Sequence, residues 1–511
     1  MMIRRSLCSL SLLTLLSLSA RCALAATDSS QPPTPAEDGT LKALSAVAGA
    51  GMMDSHSYGF LEELSDDIGG RVTGTPQAAK AIEWGLSRMR SIGLENVHAE
   101  SWQISRGWSR GSAEAELVAP VYHRLLIDSM GWTGSTSGSV EADVVAVNIN
   151  QIDDEIQQNS SQWAGKILLI VKRGFPKQGG MLAFARFGPF LKSAYAAHAI
   201  AVIGGQAGSK SVGMNLTHTG ALGFNSYYDI PVVSMGAEDQ DQLERFIDRG
   251  KPLRIRIAVQ NHVTNGPVDS ANVVGEIRGT QYPEQIIVAC GHLDSWDLAS
   301  GTTDDGCGVT VALGAAEAIL KSGFKPLRTI RFVLFMGEEE GLLGSIAYVK
   351  THQNEMSNHL AAVILDNGQG PVNALELGGR DDLVSAFQQF AMYTQAFGDI
   401  DVNDDPVFGT DAGPFIMTGL PGINLGQDSP DYKFTHHSAV DTFDKVKPDI
   451  LIRNATIMAV TAFWIADRPE RLDTPWPAER TARMLTQKKQ DAFLKAFGLW
   501  PFGDLGAEPK D

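Results

Sequence analysis

Short apolar runs recur along the chain, and their spacing divides it into two textures. From Ser270 onward, runs of strand length alternate with stretches of helical length: Ile286 to Cys290, a helix from about Gly306 to Ser322, Thr329 to Met336, a helix from Leu342, and Ala361 to Leu365. This alternation predicts a largely parallel sheet covered by helices, because parallel neighbours need crossover connections that pack on the sheet faces. Nearer the start, Gly74-Thr75-Pro76 supplies a turn with proline close to the first helical position. The helix then runs through Arg90, and Gly93 ends it. Gly107 to about Leu126 reads as strand. From Gly131 the texture changes to brief β runs with glycine turns: Val144 to Val147, Ile167 to Val171, Ile200 to Ile203 and Pro231 to Val233. Helices from about Phe187 to His198 and from Gln240 to Asp248 interleave with them.

The expected fold class is therefore α/β. A mostly parallel or mixed sheet with helices on both faces is assembled from residues 40–130 and 264–475, a β-rich domain is inserted at 131–263, and a polar tail at 476–511 carries one more amphipathic helix before it frays. No internal repeat is visible. A length of 511 residues exceeds the roughly 150 of a single domain and agrees with two structural parts.

The first 26 residues have their own pattern: Arg4 and Arg5, an apolar stretch from Leu7 to Leu18, and Ala23-Leu24-Ala25 before Ala26. This is the form of a secretory signal peptide. The stretch is short for a membrane span, so the expectation is export to the periplasm or beyond, with no membrane anchor after cleavage. The formal charge is −17, and removing Arg4, Arg5 and Arg21 brings it to about −20, which argues against nucleic acid as a partner. Of the four cysteines, Cys8 and Cys22 leave with the signal. Cys290 and Cys307 remain, and the sequence leaves open whether they meet.

In open α/β sheets ligands bind beyond the carboxyl ends of the strands, so the polar residues just after each apolar run are the ones that matter. His292 and Asp294 follow the Ile286 run, Glu338 and Glu339 follow the Thr329 run, and Asp366 closes the Ala361 run. Asp304 and Asp305 lie between the first two, just before a helix. One acidic residue at a strand end is usually a helix cap or a solvated turn. Several converging on one sheet edge are different, because each isolated buried charge loses several kcal/mol of hydration unless a cation compensates. Imidazole and carboxylate without thiolate suit zinc, with cobalt or manganese as substitutes. Asp294, two residues beyond His292, reads as the carboxylate that fixes the imidazole's tautomer.

The segments His292-Leu293-Asp294-Ser295-Trp296-Asp297, Thr303-Asp304-Asp305-Gly306, Gly337-Glu338-Glu339-Glu340-Gly341, Asp366 and His437-Ser438-Ala439-Val440-Asp441-Thr442 together resemble the M28 metallopeptidases, and among them the carboxypeptidase Q group. Gly70-Arg71-Val72-Thr73-Gly74-Thr75 resembles a motif near the family's start, and the insertion resembles a protease-associated domain. The resemblance implies an exopeptidase with two zinc ions per chain. One ion would be held by His292 and Asp366, the other by Glu339 and His437, with Asp304 bridging both and Glu338 as general base. His437 is preferred over His436 because the family's ligand lies four residues before an Asp/Glu-Thr pair, here Asp441-Thr442. The substrate implied is a dipeptide or short peptide, and the assembled form a homodimer.

Two cations a few Å apart lower the pKa of a water between them, and a neighbouring carboxylate can take its proton. Asp441 supports the His437 loop on this reading. Gly409-Thr410-Asp411-Ala412-Gly413-Pro414 resembles a segment lining the family's pocket but lacks the histidine that often follows the Asp. His218-Thr219-Gly220 is similar to a stretch that shapes the pocket rim, while His198, His218, His352 and His359 are expected to be surface or structural histidines. Two other readings stand beside the peptidase: a receptor-like homologue that has lost catalysis, and a glutaminyl-cyclase-like acyl transferase, which would use one zinc.

Overall fold

The computed structural model describes residues 35–171, 186–204, 214–472 and 474–505. The signal-like segment at 1–26 and the last six residues lie outside them. The chain forms two compact units, 1–39 and 40–511, and only the opening of the helix Pro35–Met53 is described in the first.

Among the described residues of 40–511 there are two eight-stranded sheets and a two-stranded ribbon that pairs Gly107–Ser109 with His262–Thr264. The first sheet runs in the order Glu95–Ile104, Val268–Ile277, Arg328–Phe335, Tyr282–His292, His359–Ile364, Gly422–Gln427, Val372–Glu376, Asp401–Asn403. The four central strands, Arg328–Phe335 through Gly422–Gln427, are mutually parallel, and antiparallel neighbours flank them. Along the strand Tyr282–His292, Ile287 and Ala289 enter one core while Ile286, Val288 and Cys290 enter the other. Both faces are buried, which is why the run reads as continuously apolar rather than alternating.

Helices Cys307–Ser322 and Pro448–Ala466 pack against each other over the first face. Among the described helices, Pro448–Ala466 is the one long and apolar enough to cross a membrane, and its side chains are spent on this core. The helix Pro76–Ile92 begins as expected, with Thr75 Oγ1 accepting from the Ala78 N–H at 3.3 Å, and Gly93 ends it at φ 99°.

The second sheet runs in the order His123–Leu125, Ala113–Ala119, Arg254–Val259, Val140–Asn148, Ile167–Val171, Ala201–Ile203, Val232–Met235, Ile127–Ser129. Its strands thus begin at Ala113, ahead of the change of texture at residue 131. The single strand expected between Gly107 and Leu126 is three short ones, and two of them, Ala113–Ala119 and His123–Leu125, join this sheet. The tail also differs from expectation. It carries two helices, Ala478–Gln487 and Asp491–Ala496, whose Leu485, Phe493 and Leu494 are buried against the second face of the first sheet. Cys290 and Cys307 are both free thiols in the core.

Candidate metal centre

The parallel strands of the first sheet end at one edge, and the loops that follow carry the candidate residues. The strand Tyr282–His292 delivers His292 beside the start of helix Cys307–Ser322. Helix and strand touch backbone to backbone there: a Cβ on Gly291 would lie 2.4 Å from the Gly308 carbonyl carbon, and one on Gly308 2.1 Å from Asp305 Oδ2. Only glycine fits either position. Asp305 uses that proximity to accept the His292 N–H at 3.1 Å and the Gly308 N–H at 2.7 Å, so it ties strand to helix.

Asp304 points the other way, and its two oxygens face different partners. Oδ1 lies 3.4 Å from His292 Nε2, which is also 3.4 Å from Asp366 Oδ1. Oδ2 lies 3.2 Å from His437 Nε2, which is 2.9 Å from Glu339 Oε2. Donor atoms of His292, Asp304 and Asp366 fall within 4.8 Å of one another, as do those of Asp304, His436 and His437. His436 stacks on His437 at 3.7 Å, but its Nε2 is 3.8 Å from Asp304 and its side chain is 48% exposed, against 17% for His437. The geometry favours His437 as the ligand.

This cluster is built for positive charge. Asp304 Oδ2 and Glu339 Oε1 are buried and accept no hydrogen bond, a costly state that a bound cation would relieve. Burial works against a charged imidazole at both His292 and His437, yet the carboxylates beside them push both well above the usual histidine range. Burial raises Glu338 well above the usual carboxylate range, and Asp366, Glu339 and Asp411 add to the rise while His292 opposes it. Two sets of nitrogen and oxygen donors sharing one carboxylate fit a pair of zinc ions.

Asp294 stands beside His292 and also holds the turn that carries the two glutamates. His292 Nδ1 bonds the Asp294 backbone carbonyl at 3.1 Å, and the Asp294 carboxylate oxygen is 3.7 Å away. That carboxylate accepts the Glu338 and Glu339 N–H groups at 3.3 and 3.2 Å, which anchors the turn carrying both glutamates to the loop carrying His292. The Asp441 carboxylate accepts the Thr303 N–H at 2.7 Å and the Asp304 N–H at 3.3 Å, while its own N–H donates to the Ser438 carbonyl at 3.3 Å, so it ties the Asp304 loop to the His437 loop. Burial raises it to about 7. Asp411 is buried, accepts a hydrogen bond from the Ser345 hydroxyl and is likewise pushed up to about 7 by burial.

Four residues had no role assigned from sequence. Arg71, fully buried, donates to the carbonyls of Leu293 at 2.6 Å, Ser300 at 2.6 Å and Gly301 at 2.8 Å, clamping the loop between His292 and Asp304. The Gly70-Arg71 motif flagged it without revealing its task. Trp296 Nε1 donates to Glu339 Oε2 at 2.7 Å. Phe224 of the second sheet's loops and Phe493 of the tail pack edge to face, 6.4 Å apart, as an apolar wall. His218 is a buried structural histidine beside the site, its Nδ1 donating to the His436 carbonyl at 2.8 Å. His352 and His359 are structural, as expected, and bind Glu100 and Tyr348.

A cleft of about 600 Å³ opens onto the cluster, with Glu338, Glu339, Asp366 and His437 on its floor and Phe224, Phe408 and Phe493 among its walls. No lysine or arginine lines it among the described residues.

Comparison with known proteins agrees with this geometry. The profile described as peptidase family M28 matches residues 272–462. Carboxypeptidase Q of Mus musculus is 31% identical over 448 residues, covering 84% of this chain and 90% of the relative. The crystal structure of a peptidase M28 precursor from Shewanella amazonensis SB2B superposes with TM-score 0.76 at 27% identity, covering 86% of this chain and 99% of the other. A zinc aminopeptidase from Bacillus subtilis shares the fold, with TM-score 0.61 at 21% identity over 82% of this chain and 97% of its own. With strand-end ligand candidates, overall fold and sequence all in agreement, this chain belongs to peptidase family M28, a family of metallopeptidases.

Proposed function

We propose that this chain is an exported dinuclear zinc exopeptidase that hydrolyses dipeptides or short peptides with a free amino end. The observation that carries the reading is the division of Asp304, whose two oxygens serve two separate sets of donors. On this reading His292 and Asp366 would hold one zinc and Glu339 and His437 the other, with Asp304 available to both through its two oxygens. Zinc bound there supplies Lewis-acid polarisation of water and of the scissile carbonyl.

The protein's own groups do the rest. Glu338, raised by burial and lining the cleft, takes the proton of the attacking water and returns it to the leaving amine. Asp294 fixes the turn so that Glu339 can ligate while Glu338 stays directed into the cleft. No lysine or arginine lines the cleft among the described residues to pair with a substrate carboxylate, which favours substrates recognised at a free amino end. The second sheet's loops, acting as a protease-associated domain, narrow the entrance and limit the length of the substrate. Export rests on the pattern of residues 1–26. The assembled form is a homodimer, which light scattering on the purified protein checks, and the formal charge of −17 disfavours nucleic acid as a partner.

The deciding experiment strips the metal with a chelator and restores zinc in steps while assaying free and amino-blocked dipeptides. Activity should vanish, return as occupancy approaches two zinc per chain, and be confined to unblocked substrates. Full activity of the stripped protein, or equal cleavage of blocked dipeptides, would sink the reading.

A further inference from the structure

The second sheet does more than border the cleft. Its segment at His218 and Thr219 runs antiparallel to His436–Ser438, with a bridge between His218 and Ser438. Thr219 N–H donates to the His437 carbonyl at 2.9 Å, and His437 Nδ1 lies 3.2 Å from the Thr219 carbonyl. A carbonyl can only accept, so Nδ1 carries the proton. In the neutral ring Nε2 then keeps its lone pair towards Glu339 and Asp304, the tautomer a metal ligand needs. His437 also has φ 59°, a left-handed backbone that costs a residue with a side chain, and the reciprocal bonds to Thr219 hold it there.

Thr219 is held in turn. Its hydroxyl accepts Arg110 Nη2 at 2.9 Å and donates to the Ser129 carbonyl at 3.0 Å. Arg110, only 10% exposed, also bonds Asp297 Oδ1 through Nε at 2.8 Å and donates to the Ser129 carbonyl through Nη1. Asp297 belongs to the loop between His292 and Asp304. One guanidinium thus links the loop that carries the first ligands to the segment that steers the last.

We propose that Arg110 and Thr219 are positioning residues of the metal centre: through the Thr219 carbonyl they fix the ring and backbone of His437, so that the second sheet completes the zinc site on the Glu339 side. The proposal rests on the dinuclear reading above.

Full-length Thr219→Val and Arg110→Met proteins test it by zinc titration against competing chelator and by the visible spectrum of the cobalt-substituted forms. Thr219→Val keeps the shape and the carbonyl but loses the hydroxyl. In both variants the affinity for one of the two ions should fall roughly 10- to 100-fold, with a changed cobalt spectrum and the other ion unaffected. Arg110→Lys, which keeps the charge, should recover part of the loss. Wild-type affinity for both ions in variants that melt like the parent overturns the proposal, and if Arg110→Met does not fold, Thr219→Val decides alone. A wild-type protein that binds a single ion overturns instead the dinuclear reading beneath it.

Discussion

Glu338 and Glu339 are adjacent in the chain and take opposite parts. Glu339 turns to His437 and Trp296, whereas Glu338 faces the cleft. Glu338→Gln should therefore lower kcat by roughly 100- to 10,000-fold, the usual worth of a general base, while zinc content measured by atomic absorption stays at the parental level. A parallel loss of zinc would show that Glu338 is a ligand instead. Away from the site, His359 gives a pH dependence. Burial, with the positive charge of Arg331 adding to it, holds it down to about 4. The folded imidazole thus stays neutral where the unfolded one, near 6.5, takes a proton. Stability is full above pH 6.5 and falls as pH drops towards 4, by on the order of 3 kcal/mol at most from this group. Denaturant midpoints at pH 7 and 4.5 should lie closer together in His359→Gln than in the parent. At this scale the sequence was most legible where a side chain acts through its own charged end: His292, Asp304, Glu339, Asp366 and His437 converge within one cluster. It was least legible for Thr219, whose contact with His437 is a backbone carbonyl that any residue type would supply.

Among the elements, strands with both faces buried announced themselves as continuous apolar runs, and strand ends then located the site. Assignment to a sheet was harder. Ala113–Ala119 has an unremarkable alternating pattern, and its membership of the second sheet comes from pairing with Arg254–Val259, some 140 positions away. Asp491–Ala496 is a six-residue helix, too short to show a period or to hold by itself, and it exists because Phe493 and Leu494 are buried. The tail is accordingly part of the core. Leu485→Ala should cost about 2–5 kcal/mol, the range for a buried leucine, in a urea melt; a loss near zero would mean that the tail is merely laid on the surface.

For the molecule as a whole, metal and fold are linked, because the ligands come from the ends of separate strands and a cation stabilises only the arrangement that gathers them. Zinc at 100 times its dissociation constant should add about 2.7 kcal/mol per site, and the melting temperature should keep climbing with the logarithm of free zinc. A melting temperature indifferent to zinc would break that link. The reciprocal grip between Thr219 and His437 also constrains when the enzyme can first act. The grip joins residues more than 200 positions apart, and the fifth ligand candidate is the last of the set to leave the ribosome. No nascent fragment that stops short of it can gather all five ligand candidates.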